Sequence, residues 1–149
     1  MLAARLVNLV EAHSNRLSDE LLQKFLATDK CNSLRNVPPD ELRERSYEIY
    51  RNLSSWLLTK TDKGIEVRYR EIGATRAAQG VTLSHLVYAL TMTKEHLLEY
   101  LDRESFYDSS LALYGHLEFM RILNQFFDRA IYYAVMGYEQ ATASKGQAA

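Results

Sequence analysis

The sequence predicts an all-α domain, a globin-like helical bundle of five to six helices ending in one long helix. Three observations predict it. The only two prolines are adjacent, Pro38-Pro39, and nothing after them breaks a helix. Apolar residues recur at helical rather than alternating spacing throughout. Short turns, such as Thr61-Asp62-Lys63-Gly64, separate stretches long enough to be helices.

Taken in order, Leu2, Leu6, Leu9 and Val10 place a first helix over Leu2 to Glu11. Ser18 is the expected N-cap of a second, about Ser18 to Thr28, with Leu21, Leu22, Phe25 and Leu26 on one side. The polar stretch Asp29 to Val37 reads as a loop. Pro38-Pro39-Asp40-Glu41 is a helix start, with proline near the first turn and acids beside the positive end of the dipole. That helix is expected to run to about Thr59. The next, Ile65 to about Gln79, should stop at Gly80. Thr82 or Ser84 then caps a helix to about Arg103, and Glu104 to Asp108 is a break. The final helix is expected over Ser109 to Gln140, with Ala141 to Ala149 a flexible polar tail.

With 149 residues, one domain is the expectation, its core within about 1–140. A net charge of −1 and no Lys/Arg block exclude a nucleic-acid binder. No apolar run approaches the roughly 20 residues that span a bilayer, and the start lacks a signal peptide's pattern. The single cysteine, Cys31, excludes an internal disulfide framework. These features fit a cytoplasmic protein.

Thirty-two residues of final helix would make a rod of roughly 48 Å, longer than the ~38 Å diameter of a domain this size. It carries two apolar seams. Leu113, Leu117, Met120, Asn124, Phe127, Ile131, Ala134 and Tyr138 follow coiled-coil spacing, and Leu111, Tyr114, Ile122, Phe126, Tyr133 and Gly137 lie on another side. One seam would cover the core and the other meet a second subunit, with Asn124 fixing register. A homodimer is therefore expected. The bland alternative is a single buried helix, apolar all round.

Histidines are the first candidates for chemistry. His85 and His96 share a helical face but stand about 16 Å apart along the axis, so they cannot hold one metal ion. His96 lies on a stripe with Ala89, Met92 and Tyr100, and one axial histidine would suffice for haem. A hydrogen-bonded structural histidine is the competing reading. Arg76 continues the apolar stripe Ile65, Tyr69, Ile72, so its guanidinium enters the core and needs a carboxylate or an anionic ligand. Glu95 or Glu71 are the expected acids, making Arg76, Tyr69, Glu95 and Met92 the ligand-binding candidates. Gly73 and Ala74 beside them would allow close helix approach. No nucleophile elbow, phosphate loop or paired-carboxylate motif occurs, so no catalytic residue and no enzyme is expected.

The runs Gly73-Ala-Thr-Arg-Ala-Ala-Gln-Gly-Val-Thr-Leu-Ser-His-Leu-Val-Tyr-Ala-Leu, Thr93-Lys-Glu-His-Leu and Phe126-Phe-Asp-Arg-Ala-Ile-Tyr-Tyr-Ala resemble the N-terminal domain of the RsbR/RsbRD stressosome co-antagonist family. The resemblance covers about Asp40 to Glu139. It implies a globin-like dimer of bacterial stress signalling, usually without haem, whose final helix leads into an output module. This sequence stops after that helix, as a stand-alone protein or a piece of a longer one, which leaves its output partner open. A regulatory sensor domain is the leading expectation, and a haem- or small-ligand-binding globin-like protein the other.

Overall fold

A computed structural model describes residues 4–104 and 109–148. Among them are six α-helices: α1 (Ala4–Ala12), α2 (Ser14–Ala27), α3 (Pro39–Arg51), α4 (Asp62–Ala78), α5 (Leu83–Glu104) and α6 (Ser110–Ala148). A 3-10 turn (Asn32–Asn36) links α2 to α3, and a π turn (Ser55–Thr59) follows α3. No described residue is in a strand, and the all-α expectation holds.

Several boundaries follow the local chemistry. Pro39 opens α3 with Asp40 and Glu41 in its first turn. Thr61 caps α4, its Oγ1 accepting from the Gly64 amide at 3.1 Å. Gly80 ends the α4 turn at φ +76°, the left-handed position that glycine adopts without strain.

Other boundaries differ. α2 begins at Ser14, so Ser18 is no cap: it lies buried within the helix and donates to the Ser14 carbonyl at 2.7 Å. α3 ends at Arg51, not Thr59. There the Glu48 carbonyl accepts from two side chains, Asn52 Nδ2 at 3.0 Å and Trp56 Nε1 at 3.2 Å. The chain then continues as the π turn, a form that one sequence period does not reveal. Leu2 and the break at 105–108 lie outside the described residues; Glu104 still belongs to α5. α6 continues to Ala148, eight residues past its expected end.

The core draws on every helix, and the most extensive contact joins α4 to α6. Close approach explains it. A Cβ on Gly73 would sit 1.9 Å from the Ala134 carbonyl oxygen, and one on Gly137 would sit 2.0 Å from that of Arg70. Only glycine lets the two backbones touch there. The edges are pinned by Tyr138, whose hydroxyl donates to the Val81 carbonyl at 2.6 Å, and by Tyr133, which donates to Asp62 at 2.7 Å.

The two seams of α6 divide differently from the expectation. The buried stripe is His116, Phe119, Leu123, Phe126/Phe127, Ala130, Ala134 and Gly137, which falls between them. Phe127 is 0% exposed, sealed inside its own chain and absent from any partner surface. Met120, Ile131 and Tyr138 are half-buried flanks of the same stripe. Leu113, Leu117 and Asn124 remain outside. The physical reason is the 3.6-residue turn: a 3.5-residue line drifts about 20° per heptad around a straight helix, so it starts on one side and ends on another.

Candidate functional site

The site begins on α3, where Glu41, Arg45 and Glu48 follow one another at helical spacing beside an inner row of Leu42, Ser46 and Ile49. Opposite, α4 presents Tyr69, Ile72 and Arg76, with Arg68, Glu71 and Thr75 one row outward. α5 closes the space with Leu86, Ala89, Leu90 and Thr93. Between them lies a partly open, mainly apolar chamber of about 50 Å³. A polar outer pocket of about 220 Å³ adjoins it, and Arg45, Ile72 and Arg76 line both.

Arg76 is 4% exposed, and its Nη1 donates to Glu41 Oε1 and Gln79 Oε1, each at 2.8 Å. Gln79 Nε2 closes the triangle on both Glu41 oxygens, at 3.2 and 3.1 Å. The hydrogen bond from Arg76 holds the Glu41 carboxyl below the usual carboxylate range. The buried arginine thus has a carboxylate, as its position requires. The partner is not Glu95 or Glu71, however. Glu95 is exposed on α5, and Glu71 is exposed and pairs with Arg68 at 3.4 Å.

Arg68 binds Glu48 in bidentate fashion, Nε to Oε1 at 3.0 Å and Nη2 to Oε2 at 2.9 Å. Arg45 has less: its Nη1 stands 3.3 Å from the same Glu48 Oε2, and its buried Nε has no hydrogen-bond partner. The Ser46 and Thr93 hydroxyls are satisfied by backbone carbonyls within their own helices. The Tyr69 hydroxyl makes no hydrogen bond among the described residues. Burial, then the nearby Glu48 charge, pushes its pKa up, so the phenol stays protonated and able to donate.

The four ligand-binding candidates therefore split. Tyr69 and Arg76 line the chamber together, whereas half-buried Met92 and exposed Glu95 do not. Residues on a helix turn 100° apart, so with Ala89, Leu90 and Thr93 facing inward, Met92 and Glu95 point elsewhere. Sequence reasoning missed Arg45, Glu41 and Glu48 as site residues. Their signal was available: a basic residue between two acids, one turn from each, bordering an apolar row.

His96 is buried at 4% exposure, with Nε2 3.4 Å from Glu20 Oε1 but neither nitrogen aligned in a hydrogen bond. Its ring lies beside Tyr50, centroids 6.5 Å apart. Burial, then the nearby Lys24, lowers its pKa, so the ring is held neutral. It lines neither the chamber nor the outer pocket. His85 is engaged elsewhere, its Nδ1 2.5 Å from Ser33 Oγ. Among the described residues no group of three His, Cys, Asp or Glu side chains could hold a metal ion. Nor is any described helix long and apolar enough to cross a membrane.

Comparison with curated proteins and with solved structures returned no match. A scan against family models did, matching residues 15–149 to the RsbT co-antagonist protein rsbRD N-terminal domain. That match takes in every helix that lines the chamber and the whole of the described α6. The chain therefore belongs to the RsbT co-antagonist rsbRD N-terminal domain family, a family of stressosome-related signalling domains.

Proposed function

We propose that this chain is a non-catalytic regulatory domain that senses a small ligand in the α3–α4–α5 chamber and passes its occupancy to α6. The domain acts in the cytoplasm, pairs with a second copy through the start of α6, and signals to an output module or protein partner. One observation carries the reading: α4 belongs to both parts. It lines the chamber with Tyr69, Ile72 and Arg76, and one face further round it meets the α6 backbone at Gly73. Close-packed interiors transmit small displacements rather than absorbing them. A shift of α4 therefore reaches α6 with no compliant side chain between.

The pairing surface is the first two turns of α6. There Leu111, Leu113, Tyr114 and Leu117 are all exposed, Leu111 at 80%, a concentration that isolated surface residues do not show. The polar groups around the chamber are paired guanidinium and carboxylate groups, the chemistry of holding a ligand rather than transforming one. The reading involves no haem, since His96 lies off the chamber wall.

Filling the chamber tests the relay. Ala89→Leu should change hydrogen exchange of the α6 amides between Ala130 and Tyr138, relative to the unaltered chain. Exchange altered only on α5 would overturn it.

A further inference from the structure

The chamber's volume, lining and unspent hydrogen-bonding capacity together restrict what it can take. At about 50 Å³ it has room for a few water-sized groups, one water needing roughly 10–15 Å³ on a comparable measure. Even with the outer pocket of about 220 Å³ it stays below the roughly 300 Å³ at which drug-sized ligand sites begin. Nucleotides and macrocycles do not fit. An inorganic anion would fit, but it would leave the apolar wall of Leu42, Ile49, Leu86 and Leu90 without a use.

Hydrogen-bonding capacity makes the second restriction. Three guanidinium groups, Arg45, Arg68 and Arg76, stand beside three carboxylates, Glu41, Glu48 and Glu71, the last pairing with Arg68 at 3.4 Å. Glu41 is committed to Arg76 and Gln79, and Glu48 gives both oxygens to Arg68. Arg45 is left with one shared contact and a buried Nε that donates to nothing. A buried donor without an acceptor calls for an explanation. The Tyr69 hydroxyl, also without a partner on the chamber wall, is a second donor. Two free donors, one of them on a guanidinium, select an anionic acceptor, and the apolar pocket selects one with a short hydrocarbon body.

We propose that the chamber binds a short-chain carboxylate, its carboxylate accepting from Arg45 Nε and the Tyr69 hydroxyl and its hydrocarbon chain lying among Leu42, Ile49, Leu86 and Leu90. This rests on the reading of the chamber as the sensing site. Ammonium-bearing ligands of the same length are rejected by Arg45, and neutral ones offer its Nε only a weaker, uncharged acceptor.

The test titrates the full chain with acetate, propionate and butyrate, following amide chemical shifts on α5. Butylammonium, butanol and inorganic phosphate serve as comparisons. Saturable binding should strengthen about fourfold per added methylene until the chamber is full. Arg45→Met and Tyr69→Phe should each weaken butyrate about tenfold or more, the loss typical of a charge-assisted hydrogen bond. Ala89→Leu should abolish it. Should Arg45→Met not fold, Arg45→Lys with Tyr69→Phe answers the same question. Butyrate binding that Arg45 and Tyr69 substitutions leave unchanged overturns the proposal. Butanol bound, blocked by Ala89→Leu, with butyrate rejected, overturns the carboxylate but keeps the chamber as a ligand site. No saturable shift from any of these probes removes both.

Discussion

Gly73 lies so close to Ala134 that a methyl group on its α-carbon would stand 1.9 Å from the Ala134 carbonyl oxygen. Neither neighbour is a flexible side-chain end, so the helices themselves would have to part. Glycine to alanine within an unconstrained helix stabilises by roughly 0.5–1 kcal/mol. Here the sign reverses. Gly73→Ala and Gly137→Ala should each cost about 1–3 kcal/mol, the range for overpacking, measured by urea denaturation. Alanine that stabilises at either position would show that α4 and α6 are not in backbone contact.

The Arg76–Glu41 pair is asymmetric, since the arginine is 4% exposed and the glutamate side chain 33%. Removing one partner of a buried pair typically costs 3–5 kcal/mol. Screening at Glu41, and the remaining Gln79 contact, reduce this to about 2 kcal/mol for Glu41→Ala, by the same reasoning. Arg76→Met should cost less than Glu41→Ala, because it strands no buried charge. Equal losses from the two substitutions, in a double-mutant cycle, would contradict this picture.

His96 links stability to pH. Its folded pKa lies below the ordinary 6.5, so the unfolded chain takes up a proton first. Stability from this group is complete above pH 6.5 and falls as the pH drops below it, by at most about 1.4 kcal/mol per pH unit. His96→Gln should flatten the stability profile over that window. A profile that stays unchanged between pH 7 and 5 in the variant would exclude His96 as its source.

Surface and core positions of α6 should separate cleanly. Leu113→Glu with Leu117→Glu, both at exposed positions, should weaken self-association in sedimentation while leaving thermal stability within about 0.5 kcal/mol. Phe127→Ala should do the opposite and cost about 3–5 kcal/mol of folding stability. Monomer at every concentration in the unaltered chain would remove the pairing surface.

Local signals were legible where one helix contains its own evidence. The stripe Ile65, Tyr69, Ile72, Arg76 places a guanidinium in the core, and Pro39 and Gly80 mark where helices start and stop. What stayed hidden is pairing between helices. Periodicity says that Arg76 needs an acid, but only packing selects Glu41, 35 residues away on α3. The chamber depends on α3, α4 and α5 meeting, with Phe25 of α2 and Leu34 of the 3-10 turn also on its wall, so no single pattern announces Arg45. Burial of α6 was obscured because its two apolar seams lie on either side of the stripe that packs into the core, and each shares residues with it.

Backbone contact at Gly137 divides α6 into unequal arms. About 26 residues precede it from Leu111 and 11 follow to Ala148, arms of roughly 39 and 16 Å at 1.5 Å per residue. Any tilt about that fulcrum sweeps the start of the helix more than twice as far as its end. A 5° rocking motion moves Leu111 by about 3 Å and Ala148 by little over 1 Å, on the same helix rise. The gearing is set by where one glycine sits, and moving that glycine by one turn would change the ratio without touching either end.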